Sequence, residues 1–280
     1  MWARWCDHRV SVEGMQENPD TFDTAMTAWQ QWQDSPWGRL RYIQAEANLD
    51  RHLGSFDAAP IRVLDLGGGD GGDAIRLAAK GCDVTIVDHA TGMLAAAERR
   101  AAEAGVTDRI RCVEADATDP PADPVGYDLV LSHNLLQYLP DTAQALAAAV
   151  RLVRPGGLFS LISINRHSEP LNLAIRQDDP AAALKAFDTD QARTRTFGTT
   201  MTLRTAEEVN EVLDELGCPA VARYGINSVN HYMTNDERKQ DPDFFADLVR
   251  LELAVADRPP YPLTARFFHI VGRKAVHYGD

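Results

Sequence analysis

Apolar and polar positions alternate in two registers along the chain. Short apolar runs at 61–66, 83–88, 110–116, 127–133 and 158–164 predict strands. Between them, 73–80, 93–103 and 142–153 carry helical spacing, the last stopped by Arg154-Pro-Gly-Gly157. Ahead of the first strand, Phe22, Met26, Trp29 and Trp32, then Leu40, Ile43, Ala47 and Leu49, predict two helices that meet at a break over 34–38. Later come a helix over 205–216, with Thr205 and Glu208 spaced as a capping box, and a strand over 220–226. A helix over 243–256, an extended Pro-rich connector over 258–262 and a last strand over 265–273 follow. Strand and helix in turn predict a doubly wound parallel sheet, which binds ligands at the carboxyl ends of its strands. Asp65, Asp88, Asp116 and His133 all fall at or near such ends.

The transition at 61–72, Ile-Arg-Val-Leu-Asp-Leu-Gly-Gly-Gly-Asp-Gly-Gly, is the sharpest in the chain. A strand runs into glycines, and a helix starts at once. Glycine turns sharply and admits a ligand where a Cβ would block it. The helix start offers free N–H groups to an anion. Gly67, Gly69 and Gly72 fit the dinucleotide spacing G-x-G-x-x-G. Asp65, Gly67, Gly69 and Gly71 equally fit D-x-G-x-G-x-G.

Two stretches break the rhythm, 166–202 and 227–262, and are expected to form a lid or cap. The chain is thus read as an N-terminal helical lid over 1–60 and a core over 61–280 that carries these two insertions. All five Trp lie within the first 37 residues, either packing those helices on the core or roofing a planar ligand.

Composition narrows the partners. The net charge is −13, which opposes a polyanion such as nucleic acid. No run of about 18 apolar residues predicts a membrane span, and the N-terminus lacks the apolar stretch of a secretory signal. Cys6, Cys82, Cys112 and Cys218 are scattered without a C-x-x-C. They read as thiols in a reducing cytoplasm, and no metal set stands at ligand spacing.

Taken together, Val-Leu-Asp-Leu-Gly-Gly-Gly-Asp-Gly, Thr-Ile-Val-Asp88, Glu-Ala-Asp116-Ala, Leu-Val-Leu-Ser-His133 and Leu-Val-Arg-Pro-Gly-Gly157 resemble the class I methyltransferases that use S-adenosylmethionine (SAM). A nicotinamide dehydrogenase accounts for only the first two. The resemblance implies a Rossmann-like α/β fold with seven strands, the last antiparallel, and S-adenosylhomocysteine as product. Gly38-Arg-Leu-Arg41, Ser-His133-Asn-Leu-Leu, Pro260-Tyr261 and Arg266-Phe-Phe-His269-Ile are similar to the bacterial tRNA 5-carboxymethoxyuridine methyltransferase group. That likeness implies Arg41 at the SAM carboxylate, Gly67, Gly68 and Gly69 along its methionine part, Asp88 at the ribose, Asp116 and Ala117 at the adenine, and His133 beside the sulfonium.

The chain departs from that group where the group carries a run of lysines. Here 189–196 reads Thr-Asp-Gln-Ala-Arg-Thr-Arg-Thr. A small organic acceptor, aromatic or indole-like, is therefore expected. The alternatives are a tRNA wobble carboxylate and a SAM-binding protein without chemistry. Trp37, Tyr42 and Asn230 are the expected substrate contacts, with His231 as general base and Tyr232 beside it.

Overall fold

The computed structural model describes residues 26–54, 60–193 and 199–276. Phe22 of the predicted first helix, together with Trp2, Trp5, Cys6 and Arg195, lies outside them. Two helices open the described chain, α1 (Met26–Asp34) and α2 (Pro36–Leu53). Between them the Ser35 side chain accepts from Gly38 N at 3.1 Å, and Pro36 starts α2, where a missing N–H costs nothing.

The core alternates as the pattern predicts. It runs β1 (Arg62–Leu66), α3 (Gly72–Ala79), β2 (Asp83–Asp88), α4 (Thr91–Glu103), β3 (Ile110–Glu114), β4 (Tyr127–His133), α5 (Thr142–Leu152) and β5 (Val153–Ile164). The C-terminal part contributes α6 (Pro180–Lys185), β6 (Gln191–Arg193), β7 (Thr200–Thr202), α7 (Ala206–Glu215), β8 (Ala220–Ile226), α8 (Pro242–Val255) and β9 (Phe267–Arg273). The main sheet has seven strands in the order β3-β2-β1-β4-β5-β9-β8. β1 to β5 are parallel, and β9 runs antiparallel to both its neighbours.

Period-two alternation sends side chains to both faces of the sheet. Leu64, Leu66, Val130 and Phe159 pack on Leu146 and Val150 of α5 and on Val209 and Leu213 of α7. Val63, Leu129, Leu131 and Leu158 pack on the other face against Leu49 of α2, Ala74 and Leu77 of α3, and Leu94 and Ala97 of α4. The strand order reverses between β1 and β4, so their carboxyl ends open a crevice, as in other open α/β sheets.

Three segments differ from the sequence reading. The stretch 166–202 holds short helical turns and a two-stranded sheet of β6 and β7. Each turn is too short to show a helical period. The connector over 258–262 is a turn leading into one helical turn at Tyr261–Thr264. β5 starts at Val153, five residues before the predicted 158, and joins β4 through a shift in register. The capping box of α7 forms as its spacing predicts, with both Thr205 and Glu208 bonded to backbone N–H groups.

Candidate functional site

A cavity of about 530 Å³ opens at the crevice. Its floor is the glycine turn after β1. Gly67 has a left-handed backbone, φ +66°, and its N–H donates to Val87 O of β2 at 2.8 Å. A Cβ on Gly68 would lie 2.7 Å from the Asp65 carboxyl and 2.9 Å from Ile86. Only glycine fits there.

Arg41, Tyr42, Asp65, Gly67, Gly68, Gly69, Asp88, Asp116, Ala117 and His133 all line this one cavity. Asp88, at the end of β2, accepts from Gly69 N and from Ala90 N, each at 2.9 Å. It thereby ties the glycine turn to the start of α4. Asp116 accepts from the Thr118 N–H and hydroxyl, each at 2.7 Å, and these bonds hold its carboxyl below the usual range.

Arg41 is the largest fully buried side chain in the described structure, 1 % exposed. One guanidinium nitrogen donates to both carboxylate oxygens of Asp73, at 2.7 and 2.6 Å. Burial opposes the charge on Arg41, but Asp73 overrides it and raises its pKa. Burial likewise opposes ionisation of Asp73, yet Arg41 and His133 hold its pKa well below the usual carboxylate range. Asp65 goes the other way: burial, then repulsion from Asp73, push its pKa well up. Burial lowers the pKa of His133, with Asp73 offsetting part of the shift. The imidazole is therefore neutral at pH 7.

Sequence reasoning passes over Asp70 and Asp73. Asp73 sits in the first turn of α3, where an acid reads as a partner of the helix dipole. Asp70 falls inside the glycine run and accepts from Trp29 Nε1 at 3.2 Å, Gln33 Nε2 at 2.8 Å and Arg100 at 2.5 Å. Gln33 also donates to the Tyr42 hydroxyl at 3.0 Å. α1 is thus latched onto the glycine turn, and Trp29 forms part of the cavity wall. Its ring stacks on Trp32 at 5.1 Å.

Trp37, Asn230, His231 and Tyr232 are not among the cavity's lining residues. The Trp37 ring faces the buried Lys239 ammonium at 5.7 Å. The Asn230 backbone N–H donates to Glu252 at 2.5 Å. His231 Nε2 meets Asn172 Oδ1 at 3.1 Å, and the Tyr232 hydroxyl donates to Thr264 O at 2.5 Å. Burial, then Arg266, Arg176 and Lys239, push His231 down to about 3. Burial pushes Tyr232 up to about 12. An imidazole with so low a pKa is a weak base at neutral pH, and it stands outside the cavity's lining.

The same shift predicts a pH dependence. The folded value of His231 lies below its ordinary 6.5, so between pH 6.5 and about 3 the unfolded chain binds a proton that the native chain does not. Its contribution to stability is complete above pH 6.5 and is lost as pH falls through that window. His231→Gln is expected to lose less stability than the parent between pH 7 and pH 5 in urea unfolding. Equal losses would show that His231 does not resist protonation.

Among the described residues, no group of three His, Cys, Asp or Glu is placed to hold a metal, and no helix is long and apolar enough to cross a membrane.

Comparison with known proteins agrees with the crevice. Residues 63–157 match a methyltransferase domain family. The tRNA 5-carboxymethoxyuridine methyltransferase of Escherichia coli K12 is 29% identical over 245 residues, covering 85% of this chain and 89% of that protein. A ubiquinone biosynthesis O-methyltransferase of Paracidovorax citrulli is 42% identical over 130 residues, 44% of this chain and 53% of that protein. A SAM-dependent methyltransferase structure from Thermotoga maritima superposes with a TM-score of 0.61 at 14% identity, covering 91% of this chain and 99% of that one. The matched domain begins in β1 and ends in β5, the stretch that builds most of the crevice, and the whole sheet has the same fold as that structure. The chain carries a methyltransferase domain over residues 63–157, set in a sheet with the fold of a SAM-dependent methyltransferase.

Proposed function

We propose that the chain methylates a small organic acceptor, an aromatic or indole-type metabolite, with SAM as donor. The observation that carries this reading is the wall built by the loop after β4. Leu135, Tyr138, Leu139 and Pro140, joined by the Trp29 ring, give the cavity apolar and aromatic lining beside its acids and His133.

SAM supplies a methyl group activated on a sulfonium. The residues present fit it. At Gly69, φ +54°, nothing stands within 4 Å of where a Cβ would lie, so the backbone is open to a ligand, and Arg41 Nε is buried with no hydrogen-bond partner. In this reading Arg41 binds the donor's carboxylate with its guanidinium, which suits that group's shape. Gly67, Gly68 and Gly69 line the methionine part, Asp88 accepts from the ribose hydroxyls, and Asp116 and Ala117 receive the adenine. Asp65 and His133 complete the wall. The chain's work is orientation and exclusion of water. The helices before β1 serve as a lid, and the segments 166–202 and 227–262 serve as a cap. Asn230, His231 and Tyr232 belong to that cap and shape it, and Trp37 braces it from α2.

The second reading, a carboxylate on tRNA, is favoured by the 29% identity over most of the chain. The cap's charges argue against it. Arg176 and Lys239 both pair with Asp236, at 2.6 and 2.8 Å, and Arg266 pairs with Glu169 at 2.7 Å. A chain of net charge −13 with these three cations paired grips a polyanion poorly.

The test is transfer of a labelled methyl from SAM to a panel of aromatic acceptors and to bulk tRNA, over a salt series. Label is expected in an aromatic acceptor and not in tRNA. Labelled tRNA with a steep salt slope would move the conclusion to the second reading. By calorimetry, Asp88→Ala is expected to weaken S-adenosylhomocysteine binding by about ten- to a hundredfold, the scale of a lost hydrogen bond to a charged group. Unchanged affinity would remove Asp88 from the site.

A further inference from the structure

Behind the cavity wall, a chain of polar side chains crosses the sheet where apolar packing is otherwise the rule. His133 Nδ1 lies 2.9 Å from Asp73 Oδ2, and His133 Nε2 lies 2.8 Å from Ser160 Oγ. Ser160 Oγ lies 2.9 Å from His269 Nε2, and His269 Nδ1 lies 3.2 Å from Asn48 Nδ2. The chain runs from α3 through β4, β5 and β9 to α2. Ser160 and His269 are fully buried. None of Ser160, His269 and Asn48 lines the cavity.

The direction of every bond follows from the Asp73 end. A carboxylate only accepts, so the His133 Nδ1–H must donate to it. His133 is neutral, so its Nε2 accepts, and the Ser160 hydroxyl must donate to it. Ser160 Oγ then accepts from the His269 Nε2–H. That leaves His269 Nδ1 as an acceptor, which the Asn48 amide N–H supplies. The placed orientation of the Asn48 amide agrees with this direction. Turning it over would bury two unpaired N–H groups in place of the one unpaired acceptor, Asn48 Oδ1.

Two imidazoles, a hydroxyl and an amide cost desolvation that an apolar set of similar volume would avoid. Their alignment has one effect at the cavity. It selects between the two tautomers of His133, and so decides whether a proton or a lone pair faces Asp73.

We propose that Ser160 and His269 are positioning residues of the cofactor site: through their hydrogen bonds they hold His133 as the Nδ1–H tautomer, which fixes Asp73 and, through Asp73, aims Arg41 at the cavity. This rests on the reading of the cavity as the SAM site. Neither residue touches the cavity, and each acts through the next.

The test pairs a spectroscopic readout with binding on the full chain. Two-bond ¹H–¹⁵N correlations of the imidazoles report tautomers directly. His133 is assigned by loss of its signals in His133→Asn. The parent is expected to show a protonated Nδ1 and a bare Nε2 on His133. In Ser160→Ala that pattern is expected to mix with the other tautomer, and S-adenosylhomocysteine affinity to fall about tenfold, the scale of one misplaced hydrogen bond. Ser160→Thr keeps a hydroxyl and is expected to restore both. If Ser160→Ala does not fold, the parent's spectrum and Ser160→Thr still decide. A parent His133 protonated on Nε2 overturns the proposal, as does a folded Ser160→Ala that binds like the parent. A parent that does not bind S-adenosylhomocysteine at all overturns the reading of the cavity itself, a distinct outcome.

Discussion

Replacing Arg41 with alanine is expected to cost about 3–5 kcal/mol of folding stability, the scale of breaking one side of a buried ion pair. The reason is what remains. Asp73 is largely buried, with a side chain 14% exposed, and it would lose its guanidinium partner and keep only the His133 ring beside it. Arg41→Lys keeps the charge but loses the fork, so its loss should be smaller. Arg41→Met combined with Asp73→Asn removes both charges and should recover much of the stability. It should not recover S-adenosylhomocysteine binding, because the donor's carboxylate has lost its partner. Urea unfolding and calorimetry on the three variants separate the two roles. A double variant that binds like the parent would show that Arg41 is only structural.

Glu252→Ala is the second large effect. Glu252 is fully buried in α8. Its Oε2 accepts from Ser228 N at 2.9 Å and from Gln44 Nε2 at 3.2 Å. Its Oε1 accepts from Val229 N at 2.9 Å and from Asn230 N at 2.5 Å. Burial raises its pKa, and the three N–H groups oppose that. Alanine would leave all three without an acceptor, at about 1–3 kcal/mol each, so a loss of at least about 3 kcal/mol is expected. Glu252→Gln helps little, because its amide NH₂ would face donors. A loss under about 1 kcal/mol for Glu252→Ala would mean that water takes over the acceptor's role.

Glu252 also marks the limit of what the sequence makes legible. It sits on a helix whose pattern is amphipathic, where an acid reads as solvent-facing. Asp65, Asp88, Asp116 and His133 are legible because strand ends are easy to find and topology gathers them at one edge. Asp73, Asp70 and Ser160 are not, since each has an ordinary local reading: a helix-start acid, a loop polar residue, a small residue in a strand. His269 lies within Phe-Phe-His-Ile-Val, and no pattern states that Asn48, 221 residues away, will meet it. The cap is opaque for a different reason. Its turns are shorter than the window a helical period needs, and most of their stability comes from tertiary partners. For His231 the sequence shows the residue type, but not the burial and the three cations that lower its pKa.

The latch on Asp70 has a consequence for how the molecule is made. α1 and α2 are made before the core, and their polar partners come later in the chain. Gln33 waits for Asp70 and Arg100, Gln44 for Glu252, and Asn48 for His269. Synthesis adds about 5–20 residues per second, so this interval lasts on the order of ten seconds or more. During it α2 lacks its partners on α8 and β9. α2 is thus fully bonded only once Glu252 and His269 are made, well after the stretch that lines the cavity, which ends at Pro140.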